Sequence, residues 1–413
     1  MNFIYNIGIY LADFVLHCAS IFNAKIKNGV DGRKQSFKTL KSALTPNDKT
    51  LWFHCASLGE YEQGLPIFEV LRKEYPKHKI ILTFFSPSGY EVRKNAPIAD
   101  VVVYLPMDTP KNAERFINLL QPELTVFVKY DIWPNYLNEI KKHQLRAILI
   151  SAAFRENQAY FKPFGKPLRE ALFAFEHIFT QNEVSKTLLE SINFNHVTVS
   201  GDTRFDRVSN QLKQDNTLPF VEEFKSNQLC VVIGSSWPED EILLSEYINT
   251  KAPKNVKFII APHDIKSSHI KDIENQLRAP YVLFSKKDNA NLKSVNVFII
   301  DTIGLLTKIY NYADIAYVGG AMGNTGLHNT LEPAVFGVPV IIGKNYDKFP
   351  EAKDLIANGG MFSISNQTEL NNILDKLINN EAKRRKTGLA NATFIMKNKG
   401  AVIQILDYLR IYT

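Results

Sequence analysis

Short apolar runs alternate with helix-length amphipathic stretches along most of the chain, and this alternation constrains the fold more than any other feature. A strand followed by a helix and a second strand forms a right-handed βαβ unit with parallel strands. The alternation stops at the polar residues 206–227 and then resumes. The pattern therefore predicts an α/β fold of two Rossmann-like domains with a cleft between them. The predicted strands are Leu51–Cys55, Ile80–Phe85, Asp100–Leu105, Leu124–Val128, Arg146–Ile150, His177–Thr180, Val197–Ser200, Leu229–Ile233, Lys257–Ile260, Tyr281–Phe284, Val297–Ile300, Ile315–Val318 and Pro339–Ile342.

The length of 413 residues also favours two domains, because it exceeds what one hydrophobic core usually supports. A polar stretch after the first helix is expected to be a linker. The expected divisions are an N-terminal helix over residues 1–25, a first domain over 26–205, an interdomain segment over 206–227, a second domain over 228–390 and a C-terminal helix over 391–413.

The N-terminal segment predicts a strongly apolar helix with one narrow polar stripe. Two interpretations are open: a terminal helix docked on the protein's own core, or a monotopic anchor in one face of a membrane. Positive residues follow the segment and none precedes it, which places the rest of the chain in the cytoplasm and argues against a cleaved signal peptide. The apolar side comprises Ile4, Ile7, Leu11, Phe14, Val15, Cys18 and Phe22, and the polar stripe comprises Asn2, Asn6, Asp13, His17 and Ser20.

The net charge narrows the class of partner, and the cysteines narrow the redox compartment. The formal net charge of +7 suits an anionic partner, but no nucleic-acid-binding module is visible, so no nucleic acid is expected. The three cysteines are far apart and lack CxxC spacing, which argues against a disulfide framework and suits a reducing compartment. His54, His263 and His328 lie in separate loops without HExxH spacing, so neither a metal nor a cofactor is expected.

Loops after the predicted strands hold the candidate ligand-binding residues, because open α/β sheets bind ligands at the carboxyl ends of their strands. In "SLGE", residues 57–60, Glu60 lies where a strand gives way to a helix. It is either a helix-stabilising carboxylate or a chemical reagent. In "GSSWPEDE", Gly234 and Ser235 are candidate phosphate contacts, whereas the acids after them suit ordinary helix stabilisation. In "APHD", His263 is placed to meet a base or a phosphate.

The stretch "GGAMGNTGLHNTLEP", residues 319–333, is the most informative of these loops. Its glycines let the backbone approach a ligand, and the helix that follows attracts a phosphate. Glu332 is suited to accept hydrogen bonds from ribose hydroxyls. The alternative interpretation is a glycine-rich connection to a helix capped by Asn329.

Taken together, these motifs resemble the 3-deoxy-D-manno-octulosonic acid (Kdo) transferases of lipopolysaccharide synthesis over nearly the whole chain. The segments that carry the resemblance are "WFHCASLGE" (52–60), "DIWPN" (131–135), "GDTRFD" (201–206), "DTIGLLTKIYNYADIAYVGG" (301–320) and "GLHNTLEPAVFGVPVIIG" (326–343). The resemblance implies a GT-B fold. It also implies inverting, metal-independent transfer of Kdo from CMP-Kdo to a lipid A precursor, at the cytoplasmic face of the inner membrane. The first domain would then bind the acceptor and the second the CMP-sugar.

The resemblance also implies roles for individual residues. Glu60 resembles the general base, Asp131 a stabilising carboxylate, and Arg204 stands where the family has a lysine thought to stabilise the transition state. Ser57 and Gly59 are further candidate substrate contacts beside Glu60. The segments that resemble the CMP-binding residues are Pro262 and His263, then Ile303, Gly304 and Leu305, then Asn329, Thr330, Leu331 and Glu332.

Three departures from the family pattern affect these roles. Lys129 stands where the family usually has an acidic residue, two places before Asp131, and His263 replaces an arginine. Imidazole is mostly neutral at pH 7, so the phosphate contact expected of that arginine is weakened. The segment "SAAFREN", residues 151–157, replaces an NARLS-like motif, so its contacts do not carry over.

Three other functions remain open on the sequence alone. One is a GT-B envelope glycosyltransferase that uses a UDP-sugar. A second is a non-hydrolysing UDP-sugar epimerase, against which the apolar N-terminal segment argues. The third is an inactive nucleotide-binding scaffold, which Lys129 and His263 suggest.

Overall fold

The computed structural model describes residues 3–411, and there the chain divides into two compact units. Unit 1 comprises residues 3–207 and 399–411, and unit 2 comprises residues 208–398. Met1 and Asn2, predicted to belong to the first helix, and Tyr412 and Thr413, predicted to belong to the last, lie outside the described residues. The domain boundaries expected from the sequence stay predictions.

Unit 1 is built on a seven-stranded parallel sheet with the strand order β3-β2-β1-β4-β5-β6-β7. The order reverses direction between β1 and β4, as in doubly wound folds. Almost all residues of the central strands are buried, since helices cover both faces of the sheet. The strands are β1 (Thr50–Cys55), β2 (Lys79–Phe84), β3 (Val101–Tyr104), β4 (Leu124–Val128), β5 (Ala147–Ala152), β6 (His177–Thr180) and β7 (Val197–Val199).

Unit 2 repeats this plan with a second seven-stranded parallel sheet, in the order β10-β11-β9-β8-β12-β13-β14. Its direction reverses between β8 and β12. The strands are β8 (Leu229–Ser236), β9 (Val256–Pro262), β10 (Tyr281–Leu283), β11 (Val297–Ile299), β12 (Ile315–Val318), β13 (Val340–Gly343) and β14 (Met361–Ile364).

The helices alternate with these strands. In unit 1 they are α1 (Phe3–Ser20), α2 (Ala24–Ala43), α3 (Leu58–Glu74), α4 (Pro87–Arg93), α5 (Pro110–Leu120), α6 (Pro134–Lys142), α7 (Lys166–Leu172), α8 (Glu183–Glu190), α9 (Thr203–Gln211, which continues into unit 2) and α18 (Ala401–Ile411). In unit 2 they are α10 (Pro219–Lys225), α11 (Pro238–Thr250), α12 (Ser267–Gln276), α13 (Leu306–Ile309), α14 (Leu331–Val335), α15 (Pro350–Ala357), α16 (Gln367–Ile378) and α17 (Glu381–Asn398). Short 3₁₀ helices cover Ala159–Phe161, Pro163–Gly165, Phe284–Asn289, Leu292–Ser294 and Tyr310–Tyr312.

The two parallel sheets confirm the predicted fold class, and each predicted strand occurs with its ends displaced by three residues at most. β14 was not predicted, because it is a four-residue edge strand whose two central residues are only half-buried. The predicted polar linker is wrong, because its residues form α2. Asn23 caps that helix by accepting hydrogen bonds from the Lys25 and Ile26 N–H groups, and Val30, Phe37 and Leu40 are buried along one side.

Helix α1 confirms the predicted apolar helix, but it contacts unit 1 through its polar side. The Tyr5 hydroxyl donates to Asp108 at 2.8 Å, and the Asn135 amide donates to the Asn6 side chain at 2.9 Å. None of the residues of α1 is buried, and Ile4 and Phe14 are 85% and 65% exposed. With a mean hydropathy of 1.3, α1 is the one helix within residues 3–411 that is long and apolar enough to cross a membrane. Its apolar side is therefore not docked on the protein's own core.

Candidate active site

Unit 1 brings Glu60, Lys129 and Asp131 to one edge of its sheet. Glu60 lies in the first turn of α3, directly after β1, and the other two follow β4. Because β1 and β4 are neighbours and parallel, their carboxyl ends meet where the strand order reverses. Open α/β sheets bind ligands at this position.

The Glu60 carboxylate is held from two sides. The Ser57 hydroxyl donates a hydrogen bond to it, and the Lys129 ammonium lies 3.9 Å from its second oxygen. The side chain is 13% exposed, so the carboxylate is shielded but still reaches solvent. Gly59 is exposed, and a Cβ added there would meet only the Ser57 hydroxyl, at 3.8 Å. The space around this turn is open to a ligand.

Asp131 ends a buried chain of hydrogen bonds. Its carboxylate accepts from His54 Nε2 at 2.5 Å and from Trp133 Nε1 at 2.9 Å. His54 Nδ1 meets the Thr83 hydroxyl at 2.8 Å, and that hydroxyl accepts from Trp52 Nε1 at 2.8 Å. The His54 ring thus links the Asp131 carboxylate to the Thr83 hydroxyl, and the Trp133 indole N–H lies 3.0 Å from His54 Nε2. The chain fixes the orientation of Asp131.

Both carboxylates also influence Cys55, the last residue of β1. Burial raises the pKa of the Cys55 thiol well above its ordinary value, and the charges of Glu60 and Asp131 raise it further. The thiol is therefore protonated and inert at neutral pH.

Arg204, the predicted transition-state cation, is paired within unit 1. Its Nε donates to Asp202 at 2.9 Å, and its Nη2 lies 2.8 Å from the same carboxylate oxygen. Asp202 is buried and also accepts from the Gln63 amide, one turn after Glu60 in α3. The guanidinium is therefore held beside α3 by a charge-assisted pair rather than lying loose on the surface.

In unit 2, the sheet reverses direction next to a glycine-rich loop. The Asp240 carboxylate accepts hydrogen bonds from the Gly320 N–H at 2.8 Å, the Tyr317 hydroxyl at 2.7 Å and the Trp237 N–H at 3.0 Å. Gly320 has φ +94°, and a Cβ on Gly319 would lie 2.4 Å from the Ser235 carbonyl oxygen, so side chains at both positions would displace the loop. Burial raises the pKa of Asp240, and its three donors oppose that rise.

Gly234 and Ser235, the predicted phosphate contacts, end β8 beside this loop. A Cβ on Gly234 would lie 2.0 Å from the Tyr310 hydroxyl, so close packing alone explains that glycine. Ser235 adopts φ +52° at an irregularity in the pairing of β8 with β9. A serine rarely adopts this conformation, and such conformations are often found at ligand sites.

His263 and His328 come together, although their loops are distant in sequence. The His263 ring stacks on Trp237 with centroids 4.8 Å apart and lies 4.5 Å from the His328 ring. Trp237 Nε1 donates to His328 Nε2 at 3.0 Å. Burial lowers the pKa of His328 to about 4, and burial also lowers the pKa of His263. Both rings are therefore neutral at pH 7, and with Trp237 they form an aromatic cluster rather than a cationic phosphate contact.

The remaining predicted CMP contacts lie in two further loops of unit 2. Pro262 ends β9, and Ile303, Gly304 and Leu305 precede α13, with Ile303 79% exposed. The Asn329 side chain accepts from the Leu331 N–H at 3.1 Å and donates to Glu332 at 3.1 Å, just before the short helix α14, whose N-cap residue is Thr330. The Thr330 hydroxyl is buried without a hydrogen-bond partner among the described residues.

Several residues that support these sites were not predicted from the sequence. Asp202 is bonded to Gln63, Trp237 to His328, and the chain from Trp52 to Asp131 joins β1 and β2 to the loop after β4, so a local motif does not reveal these contacts. Asp240 was treated only as a helix-stabilising acid. The one available signal was its position, three residues after Trp237 at the start of a helix. Within residues 3–411, no group of three or more His, Cys, Asp and Glu side chains is arranged to hold a metal ion.

Comparison with protein families gives one match, over residues 31–207, to the family described as 3-deoxy-D-manno-octulosonic-acid transferase (kdotransferase). The matched segment contains Glu60, Asp131 and Arg204. The chain is 26% identical over 387 residues to the 3-deoxy-D-manno-octulosonic acid transferase of Haemophilus influenzae, covering 90% of this chain and 89% of that protein. It is 29% identical over 349 residues to the enzyme of the same name from Aquifex aeolicus, covering 84% and 88%.

Among solved structures, the chain resembles the UDP-GlcNAc 2-epimerase of Neisseria meningitidis bound to UDP-GlcNAc. The TM-score is 0.61, with 87% of this chain and 99% of the epimerase covered and 17% sequence identity. At this identity the similarity concerns the fold alone. It agrees with a GT-B architecture of two Rossmann-like units.

Proposed function

We propose that the chain belongs to the 3-deoxy-D-manno-octulosonic acid (Kdo) transferase family, which its residues 31–207 match, and that it transfers Kdo from CMP-Kdo to a lipid A precursor in lipopolysaccharide synthesis. One observation carries the proposal. The segment that matches the family contains a shielded carboxylate, Glu60, at the point where the sheet of unit 1 reverses direction.

Glu60 is proposed as the general base. Transfer from CMP-Kdo requires the acceptor hydroxyl to lose a proton as the new glycosidic bond forms. A carboxylate held by Ser57 and Lys129, beside the open turn at Gly59, is suited to accept that proton. A positioned base of this kind contributes roughly 10²–10⁴-fold to the rate. One base acting on one face of the sugar gives inversion by single displacement.

Asp131 and Arg204 are proposed to stabilise charge. The sugar carbon passes through an oxocarbenium-like state, which the Asp131 carboxylate, fixed by His54 and Trp133, is suited to stabilise. Arg204, oriented by Asp202, is proposed to stabilise the charge that develops on the departing CMP phosphate. Because Lys129 replaces the acidic residue usual in the family, Asp131 acts in this role without a second carboxylate at that position.

Unit 2 is proposed to bind CMP. The loop that Asp240 holds, together with Gly234 and Ser235, is proposed to bind the phosphate, because it lies at the carboxyl end of a parallel sheet where the strand order reverses. Asn329 and Glu332 are suited to the ribose hydroxyls. The neutral ring of His263, stacked on Trp237, is proposed to contact the nucleotide through its face rather than as a cation. Pro262, Ile303, Gly304, Leu305, Thr330 and Leu331 complete the proposed CMP contacts.

Metal-independent chemistry and the membrane location are part of the same proposal. The base and the phosphate-stabilising groups named above are all protein groups, so the proposed mechanism routes no step through a metal. The exposed apolar side of α1 is proposed to lie in the cytoplasmic face of the inner membrane, where a lipid acceptor is available. Ser57 and Gly59 are proposed to contact that acceptor.

A donor panel with the purified full chain tests this function. We expect release of CMP from CMP-Kdo only when a lipid A precursor is present, together with a product heavier than the precursor by one or more Kdo residues in mass analysis. Release of UDP from a UDP-sugar, with CMP-Kdo untouched, would overturn the proposal. Epimerisation of a UDP-sugar without any acceptor would overturn it as well.

A further inference from the structure

A cavity of about 210 Å³ lies in unit 1 beside α1, away from the carboxylates of the candidate active site. Its walls come from α1, from α2, from α5 and from the segment that leads into α5. Three of the lining side chains are cations and one is a carboxylate: Arg33, Lys34, Arg115 and Asp13. The cavity is therefore positively charged.

Two guanidinium groups in the cavity form no close ion pair. Lys34 lies 3.5 Å from Asp31, and Asp13 lies 3.5 Å from the His17 ring. Arg33 and Arg115 have no carboxylate within 4.0 Å among residues 3–411. These two groups are the part of the cavity available to an anion.

Arg33 is not an ordinary surface cation. It is half-buried and donates from Nη2 to the Phe85 carbonyl at 2.7 Å, and its guanidinium lies 4.3 Å from the centre of the Phe85 ring. Its Nε is buried and has no hydrogen-bond partner within the described part of the chain. The charge of Asp13 favours the Arg33 cation without forming an ion pair with it, so Nε still lacks an acceptor, and a phosphate oxygen supplies one in a matching geometry. Burial also lowers the pKa of Arg33 from its ordinary value.

The rest of the lining is apolar. Arg115 lies 4.0 Å over the ring of Phe37, and further apolar lining comes from Leu16, Val30, Pro106 and Met107. Leu16 belongs to α1, and other apolar side chains of that helix, such as Leu11 and Phe14, are exposed. A ligand that fits both features carries an anionic group next to an apolar one, which is the chemistry of a lipid headgroup at a membrane interface.

We propose that Arg33 and Arg115 form a binding site for the headgroup phosphate of an anionic membrane phospholipid. The proposal rests on the membrane association of α1 proposed above. It adds a defined phosphate site to what would otherwise be a diffuse attraction between a basic protein and an acidic surface. Such a site also holds α1 and α2 at a set depth in the headgroup region, since the cavity lies between them.

Vesicle binding by the full chain tests the site. Wild type and Arg115→Gln are compared on phosphatidylcholine vesicles with and without phosphatidylglycerol, by co-sedimentation. Lys38→Gln is the matched control, because it removes one exposed positive charge from α2 outside the cavity. We expect Arg115→Gln to lose at least about tenfold in affinity for the anionic vesicles, and Lys38→Gln to lose less than about threefold. Inorganic phosphate at constant ionic strength should weaken wild-type binding more than chloride does.

Two results would overturn the phospholipid site. Equal losses in the two variants would show diffuse attraction only. A loss confined to vesicles that contain the lipid A precursor, without CMP-Kdo, would assign the phosphate to the acceptor instead. Kdo transfer by the wild-type chain in detergent, without vesicles, tests the proposed function separately, so its failure is distinguishable from a failure of vesicle binding.

Discussion

At the scale of single residues, the candidate active site is defined by what holds each carboxylate. A glutamate in the first turn of a helix usually serves only to stabilise the helix dipole. Glu60 differs from such a residue because Ser57 and Lys129 hold its carboxylate in one place, at the edge of the sheet where ligands bind. Asp131 is likewise fixed, by His54 and Trp133.

Replacing Glu60 with glutamine should separate chemistry from binding. The amide keeps the size of the side chain but does not accept a proton, so we expect Kdo transfer to fall by roughly 10²–10⁴-fold. Calorimetric titration should show unchanged CMP affinity. Glu69→Gln is the control, since Glu69 is exposed on the same helix. Transfer by Glu60→Gln within about tenfold of wild type would rule out Glu60 as the base.

Asp108 gives a prediction about the pH dependence of stability. It is fully buried and accepts from the Tyr5 hydroxyl and from the N–H groups of Asn135 and Tyr136, which begin α6. Burial raises its pKa from 3.8 to about 7. Between these values the folded state holds a proton that the unfolded state has lost, so the contribution of Asp108 to stability falls as the pH rises.

The slope from this one group approaches about 1.4 kcal/mol per pH unit. The Asp108→Asn variant lacks this titrating group, so its stability does not have this pH-dependent contribution. The advantage of wild type over the variant in unfolding temperature should therefore be larger near pH 5 than near pH 7. Scanning calorimetry of both proteins across this pH range measures the difference in unfolding temperature. A difference that stays constant with pH would contradict the raised pKa.

At the scale of elements, the sequence was sufficient to predict the strands but not the long-range hydrogen bonds that hold the site residues at their ends. Apolar runs between helical stretches located β1 to β13, because burial on both faces makes such strands continuous and apolar. α2 was missed because its exposed side is highly polar, and its packing is carried by a few residues such as Val30 and Phe37. The local motifs around Glu60 and Gly320 were visible in the sequence. His54, which bonds Asp131, and Asp240, which bonds Gly320, lie too far along the chain for a motif to indicate these contacts.

The glycine-rich loop of unit 2 gives a prediction at this scale. Asp240→Ala removes the oxygen that accepts from both the Gly320 and the Trp237 N–H groups, so we expect the loop to shift and CMP affinity to fall by about tenfold or more. Tyr317→Phe is the control, because it removes one donor and leaves the carboxylate bonded to Gly320 and Trp237. Titration calorimetry with CMP compares them. Equal affinities in the two variants would show that Asp240 does not position the phosphate loop.

At the scale of the whole molecule, α1 reverses the usual arrangement of an amphipathic helix. A surface helix normally turns its apolar side to the core. Here Tyr5 and Asn6 attach the helix to unit 1 through hydrogen bonds, and the apolar side chains are exposed. Desolvating that side requires a partner outside the chain, and a membrane interface supplies one along the full length of the helix.

Substituting two outward side chains of α1 should therefore weaken membrane binding without unfolding the protein. Leu11 and Phe14 are exposed, and moving each from water into the interface contributes about 1.5–3 kcal/mol. We expect the double variant Leu11→Ser/Phe14→Ser to bind vesicles at least about a hundredfold more weakly than wild type. The control is Leu389→Ser/Met396→Ser, which removes two equally exposed apolar side chains from α17 in unit 2. Flotation with phosphatidylglycerol-containing vesicles measures both. If the two double variants lose binding equally, the attraction is not carried by the apolar side of α1.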